Sequence, residues 1–251
     1  MLAKFEIILD CEENFANWNM GSLFHGVLME LLPSDYAGKL HENQLKPFSQ
    51  HIEPCDKGIK WSLHCLNDEC MKYIGDALMS DIDKIELKNK EKELNIISRS
   101  MKSITYKNLI DDTYFGETSN FINIYFNTPT SFKVDGRYII YPDMELIYKN
   151  LVHKFDAFSN KFSIYDEYMI ESLIENSMIT SYKLQSVNYS MESIKIPSYI
   201  GRITVRINNS AQIANIAKLL FSFGEYSGIG IKTALGMGAV RIEEVKRIGK
   251  R

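Results

Sequence analysis

The stretch GEYSGIGIKTALGMG, residues 224–238, holds five of the 14 glycines in the 251-residue chain. Because glycine permits positive φ and has no side chain, such a backbone can bring its N–H groups close to an anion such as phosphate. Lys232 and Thr233 would add a positive charge and a hydroxyl group. The residue pattern predicts a helix before the stretch, from Ala211 to Phe223, and a strand after it, from Ala239 to Glu243. We therefore predict an anion-binding backbone between a helix and a strand, and name residues 224–238 the glycine segment.

Other interpretations of the glycine segment fit its spacing less well or stay open. A phosphate-binding P-loop requires GxxxxGK followed by Ser or Thr, whereas Ile231 alone separates Gly230 from Lys232. A dinucleotide-binding fingerprint needs a strand before the glycines and a helix after them, the reverse of the predicted order. A glycine loop with a purely structural role stays open, because glycines commonly serve turns.

The first half of the chain predicts the order β-α-β-β-α-β. Apolar alternation and helical spacing give the following elements in turn: a strand from Ala3 to Leu9, a helix from Leu23 to Leu32 that ends at Pro33, a polar connection SDYAGKLHENQLKPFSQ (34–50), a hairpin of Gln50–Glu53 and Ile59–Leu66, a helix from Asp68 to Met79, and one or two exposed strands between Ile85 and Thr105.

The second half repeats this order with different residues. Its predicted elements are strands at Phe121–Phe126, Ser131–Lys133 and Tyr138–Tyr141 with a turn at Asp135-Gly136, a helix that begins after Pro142-Asp143 and continues to about Phe158, and strands at Ile179–Tyr189 and Ile203–Ile207 around an irregular SMESIKIPSYIG (190–201), before the helix and strand that flank the glycine segment. Two ferredoxin-like halves joined near residues 112–120 account for this order better than a parallel α/β sheet does. The predicted fold class is α+β.

The composition is that of an ordinary globular protein, with 45% hydrophobic and 12% aromatic residues. The 29 basic and 32 acidic residues give a formal charge of −3, so binding of nucleic acid would need a local basic patch, which the end RIEEVKRIGKR (241–251) permits. We expect a soluble, cytoplasmic protein without a membrane segment, because no run of about 18 apolar residues occurs and the start MLAKFEIILD lacks a signal-peptide pattern. The cysteines lack a CxxC pair, which favours reduced thiols over a zinc site; they are Cys11, Cys55, Cys65 and Cys70.

The glycine segment carries a resemblance to a known family. Its GxGxxxxxGxG order, Gly228, Gly230, Gly236 and Gly238 between a helix and a final strand, resembles the signature of the sixth family of CRISPR-associated proteins, the repeat-specific RNA endonucleases. The stretch FGEYSGIGIKTALGMG resembles the sequences of the branch of this family that serves type III systems. The likeness extends to MGSLFHGVLMELL, NTPTSFKVDGRYIIYPD and KIPSYIG, and so spans nearly the whole chain.

The resemblance implies two tandem ferredoxin-like, RRM-related domains with a C-terminal glycine-rich loop. We place an N-terminal domain with the catalytic histidines at residues 1–115 and a C-terminal domain with the RNA-binding loop at residues 116–251. The resemblance also implies CRISPR repeat RNA as the partner, for crRNA processing in antiviral defence, and it admits a transient CRISPR effector complex and a homodimer. We expect no cofactor.

RNA can be cut without a metal ion when a base takes the proton of the 2′-hydroxyl, the oxygen attacks the adjacent phosphorus, and an acid protonates the departing 5′-oxygen. Histidine suits both roles because its reference pKa is about 6.5. Products would be a 2′,3′-cyclic phosphate and a 5′-hydroxyl. The resemblance implies that His41 is catalytic, that His25 assists, and that Lys46 supports the reaction.

Structural roles compete with these assignments. His25 lies in an apolar helix and could be a core histidine, and His41 lies in a polar loop where a solvent-facing histidine is common. Structural roles are favoured for His51 and His64 on strands and for His153 on a helix face. Tyr36 is near His41 in sequence but fits a surface aromatic equally well.

RNA contacts outside the catalytic histidines are assigned on two grounds. The glycine segment would supply Gly228, Gly230, Lys232, Thr233, Gly236 and Gly238, and the resemblance implies that basic residues of the second domain help to hold the RNA. The candidates are Lys133 and Arg137 first, then Lys154, Lys195, Arg202 and Lys232. No RNP1-like run is present, so ordinary RRM binding is not supported.

Three functional alternatives stay open beside a metal-independent endonuclease. Metal catalysis would need convergent carboxylates, whereas Asp10 with Glu12 and Glu13, and Asp111 with Asp112, fit solvated loop acids. A non-catalytic RNA-binding subunit of a CRISPR effector complex shares the fold but needs neither His41 nor Lys46. An enzyme of small phosphorylated metabolites is supported by the glycine segment alone.

Overall fold

The computed structural model describes residues 1–11, 17–116, 119–191, 194–208 and 210–245. Glu12, Glu13 and the last six residues of the predicted basic end, 246–251, lie outside this range. The elements in chain order are β1 (Leu2–Leu9), α1 (Gly21–Leu31), α2 (Ser34–Glu42), β2 (Phe48–Cys55), β3 (Gly58–Cys65), α3 (Asp68–Leu78), β4 (Lys84–Leu87), β5 (Lys92–Ile104), α4 (Tyr106–Tyr114), β6 (Phe121–Thr130), β7 (Phe132–Val134), β8 (Arg137–Ile139), α5 (Met144–Phe158), α6 (Glu167–Asn176), β9 (Ser177–Met191), β10 (Ile194–Ile207), α7 (Ala211–Ser227) and β11 (Val240–Glu244), with short 3-10 turns at Trp18–Met20, Lys88–Lys90 and Thr233–Leu235.

The first sheet is antiparallel and has the strand order β2-β3-β1-β5-β4. Strand β1 alternates buried and half-buried residues, and its buried side chains, such as Phe5 and Ile7, face a core that also contains Phe24 of α1 and Trp61 of β3. The phenyl ring of Phe24 packs 5.0 Å from the indole of Trp61, centroid to centroid. Helix α1 is thereby held against the sheet by its apolar face.

The second sheet repeats the arrangement with the order β11-β6-β10-β9. In both sheets the first and third strands of a β-α-β-β-α-β unit are neighbours in the centre, with the second and fourth outside them. Helices α5 and α7 cover one face, where Tyr148 and Phe221 stack with ring centroids 5.3 Å apart. The predicted α+β fold of two tandem ferredoxin-like halves is confirmed.

Two predicted irregular segments are wrong. The polar connection at 34–50 contains α2, which starts after Pro33 and buries Tyr36 and Leu40, four residues apart. Two apolar residues were too weak a stripe to reveal a helix. In the segment at 190–201, residues 190–191 end β9, residues 192–193 lie outside the described range, and residues 194–201 belong to β10. Pro197 pairs with Asn188 of β9 at a point before pairing with β6 begins, where a strand tolerates proline.

Helices α4 and α6 were also missed by the sequence prediction. Helix α4 is capped by the Thr105 hydroxyl, which accepts a hydrogen bond from the N–H of Asn108 at 2.9 Å. Its buried residues Tyr106 and Leu109 belong to the core of the second half, beside Phe223 of α7. The domain boundary between residues 115 and 116 stays a prediction, and α4 packs with the half that follows it. Among the described helices, none is long and apolar enough to cross a membrane.

Candidate active site

His41 is exposed in the last turn of α2. The prediction that it lies in a loop is therefore wrong. Just beyond this helix, the Lys46 ammonium donates hydrogen bonds to the carbonyls of Leu40, His41 and Asn43. A cation at this place satisfies carbonyls that a helix end leaves without partners and stabilises the helix dipole. Burial lowers the pKa of Lys46. The contacts of Lys46 therefore stabilise the turn that carries His41.

His25 is half-buried on α1, where its imidazole stacks on Phe48 with ring centroids 5.9 Å apart. Burial lowers the pKa of His25 to about 4, a hydrogen bond to the backbone of Ala234 acts in the opposite direction, and the charges of His41 and Lys46 lower it further. His25 is therefore uncharged at neutral pH and can accept a proton. Its electrostatic interactions also show that these three sequence-predicted residues share one neighbourhood.

The other histidines lie in different surroundings. His51 and His64 are buried on neighbouring strands, with ring centroids 5.7 Å apart, and burial lowers the pKa of both. His64 packs against Tyr226 of α7, so it lies between the two halves. His153 is exposed on α5.

Tyr36, considered as an assistant to His41, is buried and stacks on Tyr73 with ring centroids 4.1 Å apart. It is thus not the surface aromatic that one interpretation of the sequence expected.

Two glycines of the glycine segment, Gly230 and Gly238, are required by close contacts with the protein's own backbone. A Cβ at Gly230 would lie 2.4 Å from the carbonyl oxygen of Ser131, and one at Gly238 would lie 2.1 Å from that of Ile229. The N–H of Gly230 donates to Asn150 Oδ1 at 3.0 Å, and the N–H of Gly238 donates to the carbonyl of Pro129 at 3.0 Å. These two N–H groups thus already have protein acceptors, and a role of the glycines in RNA binding stays a prediction.

The backbone from Lys232 to Ala234 is the part of the segment with N–H groups that find no acceptor among the described residues. Lys232 is exposed and left-handed, with φ of 54°, and begins the 3-10 turn that contains Thr233, which is buried. The predicted anion-binding features of the segment therefore coincide at Lys232 and Thr233.

Lys133 and Arg137 are exposed on the β7–β8 hairpin, where the Lys133 ammonium lies 5.5 Å from the centre of the Tyr138 ring. The hairpin adjoins the glycine segment, because Ser131, the residue before it, accepts a hydrogen bond from the N–H of Ile231 at 3.0 Å. We name Lys133, Arg137 and Lys232 the basic edge.

Lys154, another basic candidate for RNA contact, is buried, and its side chain on α5 contacts the backbone of the glycine segment. Its ammonium donates to the carbonyls of Gly228 at 2.9 Å, Ser227 at 3.3 Å and Gly230 at 3.4 Å. Burial lowers its pKa to about 7. Asn150, one turn earlier on α5, binds the N–H of Gly230. Sequence reasoning missed this supporting role, because no local pattern distinguishes a buried lysine from a surface one.

The glycine segment of the second half also packs against α1 of the first half. A Cβ at Gly21, the first residue of α1, would lie 2.2 Å from the carbonyl oxygen of Leu235. Ala234 in the same turn interacts with His25. The structure therefore brings His25, one of the candidate catalytic residues, and the candidate anion-binding turn together at one junction. No group of three or more His, Cys, Asp or Glu side chains suited to a metal ion occurs in the described ranges.

The replacement of Gly238 by alanine is expected to lower the free energy of unfolding by about 2 kcal/mol or more, because it combines a positive φ of 72° with a clash against Ile229. Gly136→Ala is the matched control, since Gly136 has a φ of 79° but open space around it. Urea denaturation of the two variants measures the difference. Equal losses would show that the close backbone contact at Gly238 does not matter.

Comparisons with known proteins identify the family. The family model for CRISPR-associated endoribonuclease Cas6 matches residues 124–240. A Cas6 endoribonuclease of Streptococcus thermophilus is 32% identical over 223 residues, which cover 89% of this chain and 91% of the relative. One of Mycobacterium tuberculosis is 26% identical over 226 residues, covering 89% of this chain and 72% of the relative.

Among solved structures, a product complex of Thermus thermophilus Cas6 has the same fold, with a TM-score of 0.80 at 22% identity over 97% of this chain and 100% of that chain. This likeness covers both halves of the molecule. Since the Streptococcus relative matches nearly nine-tenths of the sequence, the chain belongs to the Cas6 family of CRISPR-associated endoribonucleases.

Proposed function

We propose that this protein cuts CRISPR precursor RNA within its repeats, without a metal ion, to produce crRNA. The observation that carries the proposal is the junction at which His25 of the first half, which interacts electrostatically with His41, meets the Lys232–Ala234 turn of the second half. A phosphate held at this turn would lie beside two groups that can transfer protons.

The proposed reaction is an attack of the 2′-oxygen on the adjacent phosphorus. His25, uncharged at neutral pH, accepts the proton of the 2′-hydroxyl as the new P–O bond forms. The bond from phosphorus to the 5′-oxygen breaks, and His41 gives a proton to that oxygen. The products are a 2′,3′-cyclic phosphate on one fragment and a 5′-hydroxyl on the other.

Binding of the repeat RNA is assigned to the basic edge and to Thr233. Lys133, Arg137 and Lys232 are exposed on adjoining loops and can contact successive phosphates. Lys46 acts through α2, because its ammonium contacts carbonyls at the end of the helix that carries His41. A homodimer and a transient complex with CRISPR effector proteins stay predictions.

Cleavage of repeat RNA is expected to continue in excess EDTA and to leave a 2′,3′-cyclic phosphate, because two histidines can perform both proton transfers. The measurement is incubation of the purified protein with labelled repeat RNA, followed by mass spectrometry of the product ends. Loss of cleavage in EDTA with recovery in magnesium would contradict a metal-independent reaction. Tight binding without any cleavage would favour the non-catalytic RNA-binding subunit.

A further inference from the structure

Gln50 is a fully buried amide at the junction between the two halves. It lies on β2 with 1% of its surface exposed, and its Nε2 donates to the carbonyl of Ala234 at 2.7 Å and to that of Gly21 at 3.2 Å. Its Oε1 accepts a hydrogen bond from the indole N–H of Trp61 at 2.7 Å. The indole can only donate and the two carbonyls can only accept, so the network defines the orientation of the amide.

Each acceptor of Gln50 belongs to a different part of the candidate active site. In an α-helix the carbonyl of residue i accepts from the N–H of residue i+4, so the Gly21 carbonyl is part of the turn that presents His25. Ala234 lies in the 3-10 turn that follows Lys232, and its backbone interacts with His25. One amide group therefore connects the helix of a catalytic candidate to the turn of the binding candidates.

The surroundings leave little freedom for another arrangement. Gly21 lies so close to Leu235 and Gly236 that a Cβ would be within 2.8 Å of the Cα of Gly236. The hydroxyl of Tyr189 donates to the carbonyl of Leu235 and holds the turn from its other side. Without the amide of Gln50, the indole N–H of Trp61 would be buried without a partner, and the carbonyls of Gly21 and Ala234 would each lose one hydrogen bond, which favours a shift of the turn.

We propose that Gln50 is a positioning residue, which aligns the RNA-binding turn with the first turn of α1 so that the bound phosphate lies in reach of His25. This inference rests on the proposed function. It assigns to Gln50 an effect on the rate of cleavage rather than on RNA affinity, because a small shift of the turn changes the distance from the bound phosphate to His25, whereas the charges of Lys133, Arg137 and Lys232 all remain available to the RNA.

Gln50→Met, which keeps the length of the side chain but removes its donors, is expected to lower the single-turnover cleavage rate at saturating protein by about tenfold, the scale of a small misalignment of reacting groups. The dissociation constant for repeat RNA should change less than about twofold. The matched control is Leu63→Ala, because Leu63 is the cross-strand neighbour of Gln50, is equally buried and has no polar side-chain atom. Both variants are assayed at a temperature where their melting curves show folded protein.

Gln50→Glu gives a second, independent measurement in case the methionine variant does not fold. A protonated carboxylic acid can donate one hydrogen bond to the Ala234 carbonyl, whereas a carboxylate cannot donate. The cleavage rate of Gln50→Glu relative to wild type should therefore rise as the pH falls. A purely structural role would leave this ratio independent of pH.

The outcomes separate this proposal from the proposed function. The role of Gln50 is overturned if Gln50→Met cleaves at the rate of wild type or of Leu63→Ala. It is also overturned if the cleavage rate of Gln50→Glu relative to wild type does not change with pH. In both cases the proposed function stands, because wild type still cleaves. In a His25→Ala background, Gln50→Met should cause no further loss, and a full additional tenfold loss would also overturn it. If wild type itself does not cut repeat RNA, the proposed function fails instead.

Discussion

His41→Ala is expected to lower the single-turnover rate of repeat cleavage by about a hundredfold or more, the scale for loss of a general acid or base. The side chain is exposed in the last turn of α2, so its removal should leave the fold intact. RNA affinity should change little, because the phosphate contacts are proposed to come from the basic edge and not from His41. Rapid-quench kinetics with protein in excess measures the rate, and a filter-binding titration measures the affinity.

The matched control for His41→Ala is His153→Ala, since His153 is also exposed on a helix but lies on α5 of the second half. His51 and His64 are poorer controls than His153, because both are buried and their loss can disturb packing. If His153→Ala abolished cleavage and His41→Ala did not, the active site would be elsewhere.

The role assigned to His41 can be tested with a chemically altered substrate. Sulfur in place of the 5′-oxygen at the scission site leaves without needing a proton, so His41→Ala should cut this substrate at nearly the wild-type rate. A hundredfold defect that persists on the sulfur substrate would contradict the assignment of His41 as the acid.

Replacement of the 2′-hydroxyl by hydrogen at the scission site is expected to abolish cleavage, because that oxygen is the proposed nucleophile. The dissociation constant should stay nearly the same, since phosphate contacts dominate affinity for nucleic acid. The control is the same replacement one nucleotide downstream, which should be cut normally. Normal cleavage of the first deoxy substrate would require another nucleophile, such as water, and would exclude a cyclic phosphate product.

Residues of the candidate site differed in how far the sequence could predict them. His25, His41 and Lys46 were assigned from the family resemblance, and the structure places them in one neighbourhood. Their local surroundings were not predictable: the two apolar residues Tyr36 and Leu40 gave too weak a stripe to reveal α2. No local pattern indicated that the Lys46 ammonium donates to carbonyls of the same segment.

The glycine segment was likewise predictable only in part. Its composition indicated that the backbone of this segment lies very close to another group, since glycine is required where a Cβ would collide. The composition did not indicate which group this is. At Gly230 and Gly238 the partners are the protein's own carbonyl groups. The carbonyl of Gly228 is contacted by the ammonium of Lys154, a residue that the family resemblance had placed among the candidates for RNA contact.

Short-range patterns in the sequence indicated the α+β class and two repeated halves, because alternation and helical spacing record which side of each element is buried, and the family resemblance supported this prediction. The tertiary structure was needed for the junction that unites the catalytic and binding candidates. Gln50 contacts Ala234 across 184 residues of sequence, and Gly21 meets Leu235 through the packing of one half on the other. Such contacts depend on how two separately patterned sheets and their helices pack together, and periodicity within either half carries no information about that packing.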